Sequence, residues 1–466
     1  MAGGKQDILH SIFYPRSVAV IGVTESPDRV GYCLLESLIH AGFQGRIYPV
    51  HPRLKTLQGL PVYRSLEEVP GPVDLAVIGV NQVATVDAVE QCGKMGVKGV
   101  VCVAGGYREM GDEGLALEDR LIATARKYNI EIVGPNTLGL INTDAGLNTT
   151  FYPLRLPRGR VSFVCQSGGV GLTIIHKAVD EGLGINKWVG VGNRSTLEMS
   201  DYLHYLAADD GTAVIGVFVE GTDNARRLVQ VAGEVARQKP VVFYKVGRSG
   251  AVDFAAQTHT GSMAGSYAMY RQILGQFGLP VVDSALEMVA ACKALALALA
   301  PRPRGNRVGV VTHTAGPSIV LLDEVSLRGG VFPGFQPETL EEIKAVLGEN
   351  PAVVVKNPLD AAGQAMQAHP FGRLVDAVIA DPGVDLLVAI YCPHLHWRCP
   401  TAELLAARQK SNKPLLALYI ASQEAVKEER ELLQSRGIPV YTTPEEAAWG
   451  VAALLHYASR QGGEVQ

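Results

Sequence analysis

Several familiar signatures are missing from this 466-residue sequence. There is no basic stripe and no Lys/Arg run, and the formal net charge is −4, so nucleic acid is not an expected partner. The longest helix-like apolar run, "VAACKALALALAP", carries Lys293 and falls short of the ~20 residues that a bilayer span needs. The opening "MAGGKQDILHSIFYPRS" has no apolar core of the secretory kind. The seven cysteines are mostly isolated, several of them inside strand-like runs such as "VVCVAGG" and "VSFVCQSGG". An odd, scattered set implies no disulfide framework, and a reducing cytoplasm is the expected location. The turn "QSGG" is not followed by Lys-Ser/Thr, which excludes a P-loop grip on ATP. The loop after the first strand-like run does not give G-x-G-x-x-G. The second run ends without the acidic residue that holds a nicotinamide cofactor's ribose, which argues against an NAD oxidoreductase.

Glycine and short β-branched runs are abundant instead. Fifty-one glycines exceed the usual ~7% and follow no Gly-x-y period, so they serve turns and close backbone approaches. Apolar runs ("SVAVIGV", "RIYPV", "DLAVIGV", "GVVCVAGG", "EIVG") alternate with amphipathic stretches such as "GYCLLESLIHAG" and "VATVDAVEQCGKMG". This β-α rhythm predicts parallel sheets covered by helices on both faces. It pauses at the turn-rich "INTDAGLNTTFYPLRLPRGR" and again at "APRPRGNR". Three α/β domains are expected: 1–148, 149–300 and 301–466. In such sheets ligands bind beyond the carboxyl ends of the strands, so the strand-to-helix loops are where chemistry is sought.

In the first domain, Gly22 and Gly31 frame the loop after the first strand. "IYPVHPR" ends on His51, Pro52 and Arg53; a guanidinium there suits a phosphate, as in NADP or coenzyme A. Two later loops, "VAGGYREMG" with Glu109 and "VGPNTLGLIN" with Asn136, also fall at strand ends and favour a shared crevice. In the second domain, "VCQSGGVG" runs from strand through glycines into helix. Its backbone can approach an anion at the helix N-terminus. "VIGVFVEGTDN" brings Glu220 to a strand end. "AAQTHTGSMAG" places His259 between Thr258 and Thr260, with Gly261 and Ser262 following. Taken alone, His259 reads as a surface histidine in a turn. With Glu220 on one ring nitrogen, the other becomes a nucleophile toward phosphorus, and Thr258, Thr260 and Ser262 offer hydrogen bonds to phosphate oxygens. "YCPHLHWRC" gathers Cys392, His394, His396 and Cys399 within eight residues, but the spacing matches no standard zinc module. No metal ligand is assigned.

The order and spacing of "QSGGVG", "GVGNRSTLEMSDYLHYLAADD", "VIGVFVEGTDN", "KPVVFYKVGRS" and "AAQTHTGSMAG" resemble those of nucleoside-diphosphate-forming acyl-CoA synthetases. ADP-forming acetate–CoA ligase is the best-known member of that family and succinyl-CoA synthetase a relative. The resemblance covers nearly the whole chain. It implies a Rossmann-like CoA-binding domain followed by two flavodoxin-like succinyl-CoA-ligase-type domains. It implies that His259 is the residue phosphorylated, that Glu220 supports it, and that Ser167, Gly168 and Gly169, with Thr260 and Gly261, hold phosphate. Coenzyme A would lie along Gly22, Thr24, Arg53 and Asn136. Acyl-CoA and phosphate would give acyl phosphate and CoA, and the phosphoryl group would pass through the histidine to a nucleoside diphosphate. No stretch is left to form an ATP-grasp module. The resemblance therefore implies an alpha subunit in a hetero-oligomer, with Mg²⁺ and ADP/ATP on an ATP-grasp beta subunit. Two departures stand out. His51-Pro52-Arg53 replaces the family's usual Asn-Pro-Lys, and His313-Thr314-Ala315-Gly316-Pro317-Ser318 replaces its Asn-Ala-Gly-Gly-Pro-Gly. The alternative reading is a non-catalytic CoA-binding regulatory or interaction subunit.

Overall fold

The computed structural model describes residues 2–249, 266–348 and 355–458. His259, Thr260 and Gly261, with Thr258 and Ser262, lie outside the described residues. By contacts the chain divides into two compact units, one of 1–179 with 184–285 and one of 180–183 with 286–466.

The first unit holds two large sheets and one two-stranded sheet. The first is built from α1 (Ala2–Phe13), β1 (Ser17–Ile21), α2 (Val30–His40), β2 (Arg46–Val50), the short pair β3 (Thr56–Leu57) and β4 (Leu60–Pro61), β5 (Leu75–Ile78), α3 (Gln82–Lys94), β6 (Gly99–Cys102), α4 (Asp112–Tyr128) and β7 (Glu131–Val133). Its strands are parallel in the order β2-β1-β5-β6-β7. Strands β5 and β6 are buried along their whole length; a sheet covered on both faces has no wet side, which is why these strands read as unbroken apolar runs. Ile21 pairs with Val50 and with Ile78, so the loops leaving β1, β2 and β5 open on one edge.

The second sheet comprises β8 (Leu140–Asn142), β9 (Leu147–Asn148), β10 (Arg158–Cys165), α5 (Gly168–Asp180), β11 (Ile185–Gly190), α6 (Met199–Ala208), β12 (Val214–Val219), α7 (Ala225–Val235), β13 (Val241–Lys245), α8 (Tyr267–Gln276) and β14 (Val281–Val282). The strand order is β14-β13-β12-β10-β11-β8-β9. Strands β10 to β14 are parallel, and β8 runs antiparallel to β11. The turn-rich stretch expected to hold the first domain boundary therefore contributes a hairpin. Its backbone groups pair with β11, Lys187 facing Asn142, so the expected boundary at 148/149 falls between this hairpin and the rest of the sheet it extends.

The second unit carries α9 (Ala285–Ala298) from its second residue on, then β15 (Val308–Thr312), α10 (Ala315–Ser326), α11 (Pro337–Leu347), β16 (Leu359–Asp360), α12 (Ala368–Ala380), β17 (Leu386–Tyr391), α13 (Thr401–Lys410), β18 (Leu415–Tyr419), α14 (Lys427–Gln434), β19 (Val440–Tyr441) and α15 (Pro444–Ala458). Its strands are parallel in the order β16-β15-β17-β18-β19. Lys293, the basic residue within the apolar α9, is fully buried. It pairs with Glu181, bonds the Val440 carbonyl and sits 4.0 Å over the Tyr441 ring. A buried ammonium is tolerable only when so fully matched.

Numbered within each sheet, the parallel strands of all three follow the doubly wound order 2-1-3-4-5, which puts a switch point beside the first strand of each. No helix among the described residues is long and apolar enough to cross a membrane.

Candidate active site

The carboxyl edge of the second sheet encloses a cavity of about 390 Å³. The turn Gln166–Gly169 after β10, Glu220 after β12, Gly192 and Asn193 after β11, and Asn136 and Leu138 from the 134–139 loop all line it. Phe151 and Tyr152 add an aromatic wall. Asn136, expected on the CoA side, thus shares one cavity with Ser167, Gly168, Gly169 and Glu220.

The phosphate-type turn is built locally. Ser167 caps α5, its Oγ accepting from Val170 N at 3.4 Å and its carbonyl from Gly171 N at 3.0 Å. The first-turn N–H groups of a helix have no intrahelical acceptor, and the dipole there favours an anion. Among the described residues a methyl group at Gly169 would meet no atom within 4 Å, whereas one at Gly171 would run into the buried indole of Trp188. The two glycines therefore differ in purpose: Gly169 leaves room on the cavity side, and Gly171 lets the helix lie on the sheet. Gln166 Oε1 accepts from the backbone N–H of Glu220 (2.9 Å) and of Gly221 (3.1 Å), which ties the strand end bearing Glu220 to the turn. Cys165 stands one residue before, and burial pushes its thiol up to about 12. It is a protonated packing residue, not a thiolate nucleophile.

A polar network runs behind the cavity. Glu118 on α4 is fully buried. Its carboxylate pairs with Arg108 and accepts from Asn193 Nδ2 at 3.0 Å and Ser195 Oγ at 2.6 Å. Asn193 Nδ2 also donates to Glu109 at 2.8 Å, and Asn193 Oδ1 accepts from Asn136 Nδ2 at 3.4 Å. Burial works against ionisation of Glu109, but the Asn193 amide and the N–H groups of Gly106 and Tyr107 hold its carboxyl below the usual carboxylate range. Glu109 is thus a fixed anion that orients Asn193, not a proton donor. Arg194, between the two Glu118 partners, takes a left-handed φ of 61°, which turns Asn193 and Ser195 to one side and its own guanidinium toward Glu198. Neither Gln166 nor Asn193 was among the residues singled out from sequence. Both sit in legible motifs, first in "QSGG" and third in "VGN", Gln166 directly after β10 and Asn193 three residues after β11.

Gly22, Thr24 and Arg53 lie elsewhere, at the carboxyl ends of β1 and β2, and none of them lines this cavity. Gly22 has a φ of +90°, and a side chain on Gly31 would strike its carbonyl, so the pair closes the β1–α2 turn. Arg53 is exposed. His51 Nδ1 accepts from the N–H groups of Arg53 (3.2 Å) and Leu54 (3.3 Å). This histidine therefore supplies the turn-forming acceptor that an asparagine gives, and the departure from Asn-Pro-Lys keeps the turn.

In the second unit, His313 follows β15 at the switch point. It is 7% exposed, its Nε2 accepts from Cys392 N at 3.0 Å, and its ring stands edge-on to Tyr391 and Phe371. Burial holds the imidazole below its ordinary value against the pull of Asp360. Among the described residues no group of three or more His, Cys, Asp or Glu is placed to hold a metal ion. Within "YCPHLHWRC", His394 stacks on Trp397 at 4.2 Å in a tight turn.

A CoA-type first sheet joined to a sheet with a phosphate turn and a facing glutamate defines a CoA–ligase type of protein. Family models agree: residues 16–143 match a CoA binding domain, and residues 158–295 match a succinyl-CoA ligase like flavodoxin domain. The alpha subunit of ADP-forming acetate–CoA ligase II from Pyrococcus furiosus is 37% identical over 98% of this chain and all of its own length. ADP-forming acetate–CoA ligase I of Archaeoglobus fulgidus is 35% identical over 97% of this chain, which spans 64% of that longer protein. A solved structure of Candidatus Korarchaeum cryptofilum acetyl-coenzyme A synthetase 1, in complex with phosphate and ADP, superposes with a TM-score of 0.88 at 32% identity, covering 97% of each chain. The chain belongs to the family of ADP-forming acetate–CoA ligase alpha subunits.

Proposed function

We propose that this chain is the alpha subunit of an ADP-forming acyl-CoA synthetase that interconverts acyl-CoA, ADP and phosphate with acid, CoA and ATP. The observation that carries this reading is the single cavity shared by Asn136, the Ser167–Gly169 turn and Glu220 in a chain of this family. Phosphate binds at the N-terminus of α5 and attacks the acyl carbon. The C–S bond breaks, CoA leaves as the thiol, and acyl phosphate forms. A ring nitrogen of His259 then attacks phosphorus; the P–O bond to the acyl group breaks and the acid leaves as carboxylate. Glu220 holds the other ring nitrogen and stabilises the charged ring. The phosphoryl group passes to ADP, with Mg²⁺, on an ATP-grasp beta subunit. Gly22, Thr24, Arg53 and Asn136 take CoA, Arg53 through a phosphate. Thr260 and Gly261 complete the phosphate site. A cytoplasmic location fits seven cysteines that are all free.

Incubating the chain with phosphate, magnesium and a panel of acyl-CoAs tests this without nucleotide. The expected result is a phosphoryl adduct on His259 by intact mass and phosphopeptide mapping, absent in His259→Asn and at least tenfold weaker in Glu220→Gln. Absence of any adduct, even with the beta subunit and ATP present, overturns the catalytic reading in favour of a CoA-binding regulatory subunit.

A further inference from the structure

Gln166 lines the cavity yet is only 6% exposed. Its oxygen already takes two backbone N–H donors, from Glu220 and Gly221. A carbonyl oxygen accepts two such bonds, and an amide nitrogen accepts none. The amide can therefore stand only one way round, with Oε1 toward the end of β12 and the two N–H groups of Nε2 on the other side. Nε2 is buried and has no acceptor among the described residues. Buried donors are almost always satisfied, so an orphan at a cavity wall marks a place where a ligand oxygen belongs. Two residues further on, α5 opens with its positive end, and no side chain of the described residues fills the space at Gly169. Donor, dipole and open space coincide.

We infer that Gln166 is a catalytic residue whose Nε2 donates to a peripheral oxygen of the phosphoryl group, first in inorganic phosphate and then in the acyl phosphate. This rests on the function proposed above. When the phosphoryl group leaves the acyl carboxylate for His259, Gln166 keeps both its protons. It acts by holding negative charge on an oxygen that is neither leaving nor attacked, and its own two accepted bonds polarise the amide toward donation.

The decisive variant is Gln166→Glu. A carboxylate of the same shape retains an oxygen for both backbone N–H groups, but turns the donor into a second anionic acceptor. In the complex with its beta subunit, the expected outcome is an unchanged melting temperature and CoA affinity. Phosphate affinity, read by titration calorimetry, should fall, and the rate of His259 phosphorylation should drop about 100- to 1000-fold. Gln166→Met, which loses the clamp as well, should also lower the melting temperature. Wild-type phosphate affinity and rate in Gln166→Glu would overturn the assignment. Equal losses of melting temperature and CoA binding in both variants would overturn it too, by reducing Gln166 to a clamp. A wild-type complex that forms no phosphohistidine, but whose phosphate binding still weakens in Gln166→Glu, would refute the proposed function and leave the donor in place.

Discussion

Gln166 and His313 occupy the same place in two different sheets. Each directly follows the first strand of a 2-1-3-4-5 order, and each accepts a backbone N–H from the residue directly after the third strand: Glu220 for Gln166, Cys392 for His313. Each also keeps a nitrogen that finds no partner among the described residues, Nε2 of Gln166 and Nδ1 of His313. The shared bond shows what the fold requires at this point, an acceptor that pins the ends of the first and third strands together. The difference lies in what surrounds it. Beyond Gln166 come two glycines, an open cavity and a carboxylate-bearing strand end. Beyond His313 comes a ring packed edge-on against Tyr391 and Phe371, with a half-buried cysteine, not a carboxylate, at the end of the third strand. The fold supplies a switch point in both cases, and the side chains determine whether it becomes a site.

The largest effect that separates the two is expected one turn into the helix. Gly171 of α5 corresponds to Ser318 of α10. Gly171 lies against Trp188, while Ser318 is accommodated and its Oγ donates to the Ala315 carbonyl at 2.7 Å. Gly171→Ser should destabilise the first unit by about 2–3 kcal/mol through overpacking. The reciprocal Ser318→Gly should cost about 0.5–1 kcal/mol, the helix-propensity difference alone. Urea unfolding of each variant checks this. Equal costs would mean that α5 can lift away from Trp188, and that the helix is not held where its N-terminus faces the cavity.

A smaller effect concerns protonation. The pKa of His313 is lowered in the folded chain, so the unfolded chain takes up the proton first as pH falls through ~6.5. The unfolded state then binds more protons, and stability contributed by the neutral ring is lost toward lower pH and regained as pH rises. Gln166 has no such dependence. His313→Gln should keep the bond from Cys392 N, stay within about 1 kcal/mol of wild type at pH 7.5, and lose less stability than wild type between pH 7.5 and 5.5. Urea midpoints at the two pH values measure it. A steeper loss in the variant would show that His313 is not buried as a neutral ring.

Much of this was legible in the residues and some was not, for reasons that can be named. Strands such as β5 and β12 are unbroken apolar runs because both their faces are covered, and they stood out at once. The turn Ser167–Gly169 was legible because glycines between a strand and a helix have few other uses. The hairpin β8–β9 was missed: its short strands are set among Asn, Thr, Gly and Asp, and their pairing with β11 is a long-range choice that no local pattern encodes. Glu118 was missed because it lies in an otherwise charged amphipathic helix. Only its meeting with Asn193 and Ser195, 75 and 77 residues away, distinguishes it from Asp119 or Glu113. Gln166 stands in a legible motif, but what singles it out is two backbone donors from the end of another strand, which no local pattern encodes.

The smallest predicted effect tests the contrast most cleanly, because it perturbs the fold least. Gly169 and Gly316 sit at matching positions in the first turns of α5 and α10, and a methyl group at either meets no atom of the described residues within 4 Å. Neither has a positive φ. Alanine at either position should therefore leave stability unchanged or raise it by about 0.4–1 kcal/mol, by restricting the unfolded chain. The functional consequences should diverge. At Gly316 the added methyl points into open space beside a loop filled by His313, and the rate of phosphohistidine formation should stay at the wild-type value. At Gly169 it occupies the space left for phosphate at the helix N-terminus, and phosphate affinity should fall about tenfold, close to the ~1.4 kcal/mol expected when an anion is kept from the first-turn N–H groups. Two variants of equal stability, one silent and one impaired in phosphate titrations, would place the working anion site in the first unit. If Gly316→Ala were the impaired one, the loop at His313 would be the active switch point, and the roles argued for the two sheets would be reversed.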